Sequence, residues 1–270
     1  MEERASDERV TTEIADGVAE VTLNRPEKLN ALDPAMFEAI IAAGERVSQT
    51  AGLRAIVLAG AGKGFCAGLD KETFASLAAK GAPALGDLTK RTHGIANAFQ
   101  QAAYVWRTLP VPVIAAIHGV ALGGGFQIAL GADIRDIAPD ARLAIMEIKW
   151  GIVPDMGGIS LMRELARSDV IRELAVTGRI FSGTEALAYG FATGLHADPL
   201  AAARATAKEI AARNPDAVRG VKRLLNAASG NDAAAILLAE SKEQAALLGS
   251  PNQIEAVRAG MEGRPGRFAD

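Results

Sequence analysis

Apolar and polar residues alternate from Val10 to Asn24, and the alternation breaks at Ala15-Asp16-Gly17. A period of two puts successive side chains on opposite faces of a strand, so this stretch predicts a hairpin. Asn24-Arg25-Pro26-Glu27-Lys28 ends it. Asp33-Pro34 supplies an N-cap carboxylate followed by proline at the first helical position, which predicts a helix to about Gln49. Arg54 to Ala59 and Val113 to Ile117 are short apolar runs, as expected of strands buried on both faces. The first runs into Gly60-Ala61-Gly62-Lys63-Gly64. The second leads to Gly123-Gly124-Gly125, which opens an apolar helix to about Gly131. Asp133 to Ala138 and Arg142 to Met146 read as further strands, and Gly157-Gly158 as the start of another helix.

Between 71 and 109 the composition is mostly helical, with a break expected around Gly81-Ala82-Pro83. After Ser182 the pattern is helical over 184–190, 199–213, 215–229, 231–248 and 251–260. Residues 1–9 are charged and polar and read as a disordered terminus. No low-complexity linker divides the rest. Residues 10–270 are therefore read as one α/β domain, strand-rich to about 195 and helical from about 196.

Composition narrows the function classes. The chain has 270 residues, 49% of them apolar, and a net charge of −3. That balance offers no basic footprint for nucleic acid. No run of eighteen apolar residues predicts a membrane span. The N-terminal stretch lacks the apolar region of a secretion signal, so the expected compartment is cytoplasmic. One cysteine, Cys66, excludes an internal disulfide and any site built on several thiolates. His93, His118 and His196 show no metal-ligand spacing. No metal or cofactor is expected.

Two turns carry the candidate chemistry: Gly64-Phe65-Cys66-Ala67-Gly68-Leu69-Asp70, and Gly119 to Gly125. Each follows a buried strand and precedes a helix. Glycine permits unusual dihedrals and close approach, so such turns can aim backbone N–H groups in one direction. Two converging N–H groups make an oxyanion hole. The same glycines serve equally well for tight turns and close helix packing.

The run Pro112 to Gly125 resembles the signature of the crotonase, or enoyl-CoA hydratase/isomerase, superfamily. So do Asn24 to Leu32, Phe65 to Asp70, and Glu147 to Gly158, in the same order and spacing. The resemblance implies a ββα spiral core, about 10–195, with C-terminal helices forming a trimerisation layer, and a homotrimer or hexamer. It implies an acyl-CoA thioester as substrate, coenzyme A being part of that substrate. It puts the oxyanion-hole N–H groups on Leu69 and Gly124. It brings Arg25, Lys28, Leu29 and Ala67 to the coenzyme A, with Arg267 and Phe268 in a C-terminal element that reaches it, in some members from a neighbouring subunit.

Hydratases of the family use two glutamates around one water. One position is Glu147; the other is Gln127, which takes no proton at neutral pH. In the dienoyl-CoA isomerases of the family, carboxylates occupy the positions of both Glu147 and Asp155, usually with a third acid where Gln127 stands here. Asp155 would then remove a proton near the thioester, and Glu147 would return one farther along the conjugated chain. A 3-enoyl to 2-enoyl shift would need only Glu147; hydration by Glu147, and a catalytically poor acyl-CoA-binding or assembly protein, are the competing readings. Several residues also have plain structural roles open to them. Asp155 could cap the helix near Gly157 and Gln127 could tie two loops together. Asp70 reads as a helix cap, Cys66 as core, and His118 as a packing or hydrogen-bonding residue. Trp150, Phe126 and Met146 could line an acyl tunnel or pack in the core.

Overall fold

The computed structural model describes residues 8–80 and 86–270. The hairpin forms as the alternation predicts. Strands β1 (Val10–Ala15) and β2 (Val18–Leu23) pair antiparallel. Asp16 and Gly17 turn with φ of 51° and 76°, as a two-residue turn matched to strand twist requires. Beyond it β3 (Ala55–Gly60), β4 (Val113–Ile117), β6 (Ile134–Ile137) and β9 (Gly194–Leu195) add in parallel. Among the described residues this gives a six-stranded sheet in the order β1-β2-β3-β4-β6-β9. A three-stranded sheet is built from β5 (Val120–Leu122), β7 (Arg142–Ala144) and β8 (Phe181–Ser182).

The apolar runs at β3 and β4 are buried on both faces, for different neighbours. Ile56, Leu58, Val113, Ala115 and Ile117 face the main core, against α1 (Pro34–Ser48) and α3 (Ala98–Thr108). Ala55, Val57, Ala59, Ile114 and Ala116 face α8 (Pro199–Ala211) through its Ala203 and Ala207. Small side chains on both partners let α8 lie close to the sheet. Helix α1 begins where Asp33-Pro34 sets it, with Asp33 accepting from the Met36 N–H at 2.8 Å.

The remaining helices are α2 (Lys71–Lys80), α4 (Gly124–Leu130), α5 (Gly158–Met162), α6 (Ser168–Thr177), α7 (Gly183–Tyr189), α9 (Pro215–Ala228), α10 (Ala233–Leu247) and α11 (Pro251–Glu262). Four differences from the sequence reading stand out. Residues 86–97 are turns rather than helix, ending in the Asn97–Gln100 capping box that starts α3. The break expected at Gly81-Ala82-Pro83 lies outside the described residues. β5 forms where only a turn was expected, because Val120 to Leu122 pairs with β7. α6 occupies a stretch to which the pattern assigned no element. At the N-terminus, Glu8 and Arg9 are held: the Glu8 carbonyl accepts from Asn24 Nδ2, and Arg9 pairs with Asp33 at 3.0 Å. The rest of the expected disordered terminus lies outside the described residues.

The C-terminal layer is tied to the core by a buried cation. Lys222 on α9 donates to the carbonyls of Trp106 and Val111 and to Asp133 Oδ2, the last at 2.7 Å. Removing one partner of a buried pair leaves the others desolvated and unpaired. We therefore expect Lys222→Met to lower unfolding stability by about 3 kcal/mol in urea titrations. An unchanged midpoint would show that α9 is held by its other contacts, such as Arg219 to the Leu53 carbonyl and Asn226 to the Arg107 carbonyl.

Candidate active site

The site lies at the C-terminal ends of β3 and β4, where their two loops are stitched together. Leu32 forms a parallel bridge with Leu69, using Gly68 O and the Asp70 N–H. Because those two bonds flank Leu69, its own N–H points the other way. Cys66 forms a second bridge, with Ala121, through Val120 O and the Leu122 N–H. The loops can approach only where a side chain is missing. A Cβ on Gly68 (φ +82°) would stand 2.5 Å from Leu122 O. Gly124 is the first residue of α4, so its N–H has no partner within the helix. The Leu69 and Gly124 N–H groups thus face one cavity of about 330 Å³, and both residues line it.

Asn30 fixes the first loop from behind. It is fully buried with φ of 56°. Its amide nitrogen donates to the carbonyls of Ala61, Gly64 and Phe65 at 2.9–3.1 Å, and its oxygen accepts from the Arg25 N–H at 2.8 Å. Sequence reasoning quoted Asn30 within a motif and gave it no role. Its trace in the sequence is an amide residue just past the Asn24–Lys28 break.

The cavity holds three polar groups expected from sequence: Gln127, Glu147 and Asp155. Gln127 is 2% exposed and bonded at both ends of its amide. Its oxygen accepts from the Met156 and Gly158 N–H groups at 3.0 and 2.9 Å. This fixes the amide's orientation, so Nε2 must donate to Glu147 Oε1, at 2.6 Å. Gln127 does tie two loops together, and it orients Glu147 as well. Glu147 Oε2 is buried with no partner among the described residues. Glu147 begins a short 3-10 turn, Glu147–Trp150, just past β7. Gly123 (φ +51°) leaves room for it, since a Cβ there would stand 3.3 Å from Glu147 Oε1.

Burial pushes the Glu147 carboxyl above the usual carboxylate range, and the charge of Asp155 pushes it further the same way. Asp155 opens onto the cavity. The surrounding walls still strip part of its hydration and raise its pKa. Asp155 does not cap α5: the helix has no side-chain cap, and the Gly158 N–H goes to Gln127.

The rest of the wall is apolar. Met146 and Trp150 line the cavity, as expected for a tunnel, with Phe37, Phe74 and Phe99, which the sequence reading missed. Phe74 packs on Trp150 with ring centroids 4.7 Å apart, and Phe37 meets Phe99 edge-on at 5.2 Å. Phe126 instead packs in the core against Phe181 and Phe191. Lys71, also unforeseen, lines the cavity from the first residue of α2.

The residues expected at the coenzyme A separate into groups. Ala67 lines the cavity, and its N–H donates to the carbonyl of Leu29, which holds a left-handed conformation. Lys28 is half-exposed and 3.4 Å from Glu72. Arg25 is enclosed: its guanidinium bonds Asp70 at 2.8 Å and the Ala31 carbonyl at 3.2 Å, so it braces the loop that carries Leu69. Arg267 and Phe268 do not reach the cavity of their own chain. Their tail docks beside Gly52 and Arg54, through Asp270 and the Phe268 carbonyl, at the N-terminal end of β3. That is the opposite end of the strand from the site, about 20 Å away for six residues.

Asp70, His118 and Cys66 have structural roles. Asp70 caps α2 through the Glu72 N–H. His118 donates to the Gly62 carbonyl at 3.0 Å. Cys66 is fully buried and its thiol is pushed up to about 12, which makes it inert. Among the described residues no cluster of three or more His, Cys, Asp or Glu could hold a metal ion, and no helix is long and apolar enough to cross a membrane.

A layered ββα core that aims two backbone N–H groups at a carboxylate-bearing apolar cavity defines a class, the crotonase fold. The chain belongs to the enoyl-CoA hydratase/isomerase family, whose model matches residues 13–270. It is 35% identical to the human Delta(3,5)-Delta(2,4)-dienoyl-CoA isomerase, mitochondrial, over 76% of this chain and 64% of that protein. The chain thus spans just under two thirds of that relative's length. It is 33% identical to the (E)-benzylidenesuccinyl-CoA hydratase of Thauera aromatica, over 79% of this chain and 80% of that protein. A solved structure of a putative enoyl-CoA hydratase from Streptomyces coelicolor A3(2) superposes with a TM-score of 0.87 at 31% identity, over 97% of this chain and 94% of that one.

The raised pKa of Glu147 has a consequence for stability. The folded state binds this proton more tightly than the unfolded state does. The contribution of Glu147 is therefore most favourable in acid and is lost as pH rises through its folded pKa. We expect Glu147→Gln to melt higher than the parent at pH 8 and to match it near pH 4. A gain at pH 4 equal to that at pH 8 would refute the assignment.

Proposed function

We propose that the protein is an acyl-CoA isomerase of the dienoyl type, with Asp155 as base and Glu147 as acid. The observation that carries this reading is the division of labour among three neighbours. Glu147 and Asp155 share the cavity with the Leu69–Gly124 N–H pair, while Gln127 is engaged at both ends of its amide.

The thioester oxygen accepts from the Leu69 and Gly124 N–H groups. Each such donor is worth about 10²–10³ in rate when charge develops on that oxygen. Asp155, the more open carboxylate, takes a proton from the carbon beside the thioester. The electron pair spreads through the enolate and the adjoining diene. Glu147, buried and pushed towards its neutral form by Asp155, gives its proton to the far end of that system. Two double bonds move, one proton leaves and one returns, and no water is consumed. Coenzyme A arrives with the substrate, and the reaction needs no other cofactor.

Hydration of a 2-enoyl-CoA by Glu147 is the second reading, favoured by the hydratase names among the relatives. Against it, Gln127 has no free lone pair aimed at a water. An acyl-CoA-binding protein with little turnover is the third. In any of these readings, the exposed Leu225, Leu237, Leu238, Val257 and Met261 of α9 to α11 support self-association into a trimer or hexamer. Arg267 and Phe268 would then serve a neighbouring subunit's coenzyme A.

Ultraviolet absorbance separates the readings. A 3,5-dienoyl-CoA is expected to convert rapidly to the 2,4-diene, with Asp155→Asn and Glu147→Gln each slowing it by about 10²–10⁴. Fast hydration of a 2-enoyl-CoA that is indifferent to Asp155→Asn would overturn the isomerase. Tight binding of both esters with no turnover would favour the binding protein.

A further inference from the structure

We propose that Lys71 recognises a carboxylate on the acyl group, so that the preferred substrate is the monothioester of a dicarboxylic acid. The inference rests on the acyl-CoA reading and narrows it. Lys71 is the one basic side chain among the described residues that line the cavity. Its ammonium makes no ion pair within the described structure, whereas the cations around it are engaged. Arg25 is 2.8 Å from Asp70 and 3.4 Å from Asp33, and Lys28 is 3.4 Å from Glu72.

Fold stability gives no reason for a cation at this position. Lys71 opens α2, where the helix dipole disfavours positive charge. Its place along the substrate path is defined by its neighbours. It stands two residues past Leu69, whose N–H faces the thioester oxygen. It also stands three residues before Phe74, on the same helix face, and Phe74 forms the acyl wall with Trp150. The pantetheine arm separates the phosphates of coenzyme A from the thioester, so an anion beside the Phe74–Trp150 wall belongs to the acyl group.

The other polar groups sharpen the assignment. Glu147 and Asp155 would repel a second carboxylate, and the Gln127 amide is already bonded. Phe37, Phe74, Phe99 and Trp150 offer only apolar surface apart from the indole N–H. A substrate anion entering this cavity therefore has Lys71 as its cationic partner.

Calorimetric binding of saturated, unreactive esters to the intact protein tests this without turnover. The probes are matched pairs: succinyl- and butyryl-CoA, adipoyl- and hexanoyl-CoA, suberoyl- and octanoyl-CoA. In at least one pair the carboxylated member should bind more tightly. Lys71→Met should lower its advantage over its partner by about tenfold, the size expected for one charge-assisted hydrogen bond. Lys71→Arg should preserve the preference. Lys71 is exposed at a helix end, so neither variant endangers the fold. An unchanged preference in Lys71→Met, or equal weakening of both members, would overturn the proposal; the second result would assign Lys71 to coenzyme A itself. Failure of every ester to bind would sink the acyl-CoA reading, and the proposal with it.

Discussion

Everything at this site depends on two backbone N–H groups, of Leu69 and Gly124, that have no partner among the described residues. Buried amides are nearly always paired, so leaving two of them facing a cavity requires the surrounding backbone to be fixed in other directions. The bridges Leu32–Leu69 and Cys66–Ala121 do this. They saturate the loop on both sides of Leu69 and lock it to the loop that starts α4. Asn30 anchors the same loop to Ala61, Gly64 and Phe65, and Arg25 braces it through Asp70. Much of the conspicuous polar chemistry near the site is therefore scaffolding for two amides.

The carboxylates follow the opposite logic. Glu147 is held in an apolar cavity where ionisation is disfavoured, and one of its oxygens has no partner. A group placed this way lowers stability at neutral pH and is ready to exchange a proton. Gln127 makes the arrangement tolerable. It donates to one Glu147 oxygen and uses its own oxygen to hold the backbone at Met156 and Gly158. A glutamate at 127 would keep the two acceptor contacts, lose the donor, and bring a second carboxylate to within about the same distance of Glu147. The amide thus keeps two acids, Glu147 and Asp155, from becoming three.

Much of the scaffold was legible in the chain. Alternation marked the β1–β2 hairpin, Asp33-Pro34 marked the start of α1, and the apolar runs marked β3 and β4. These signals are local, set by a period, a cap or a turn residue. Phe37, Phe74 and Phe99 were not legible as cavity wall. An aromatic on an amphipathic helix looks the same whether its face meets the core or an empty space. Phe126 shows the converse: it reads as a tunnel residue and packs in the core with Phe181 and Phe191. Lys71 left only a faint trace, as a cation at the unfavourable end of a helix.

The sequence by itself determined the family, the strand-to-loop turns, and which carboxyl and amide side chains were available. Those features are written in short motifs and in residue chemistry. Tertiary structure decided what each of them does. It turned Arg25 from an expected coenzyme contact into a brace, and put Arg267 and Phe268 at the far end of β3 from their own cavity. It gave Gln127 three fixed bonds and left Asp155 off the helix it could have capped. These outcomes depend on contacts between residues 20 to 218 positions apart. No local pattern encodes such contacts, because they exist only once the sheet has ordered its strands and brought the two loops together.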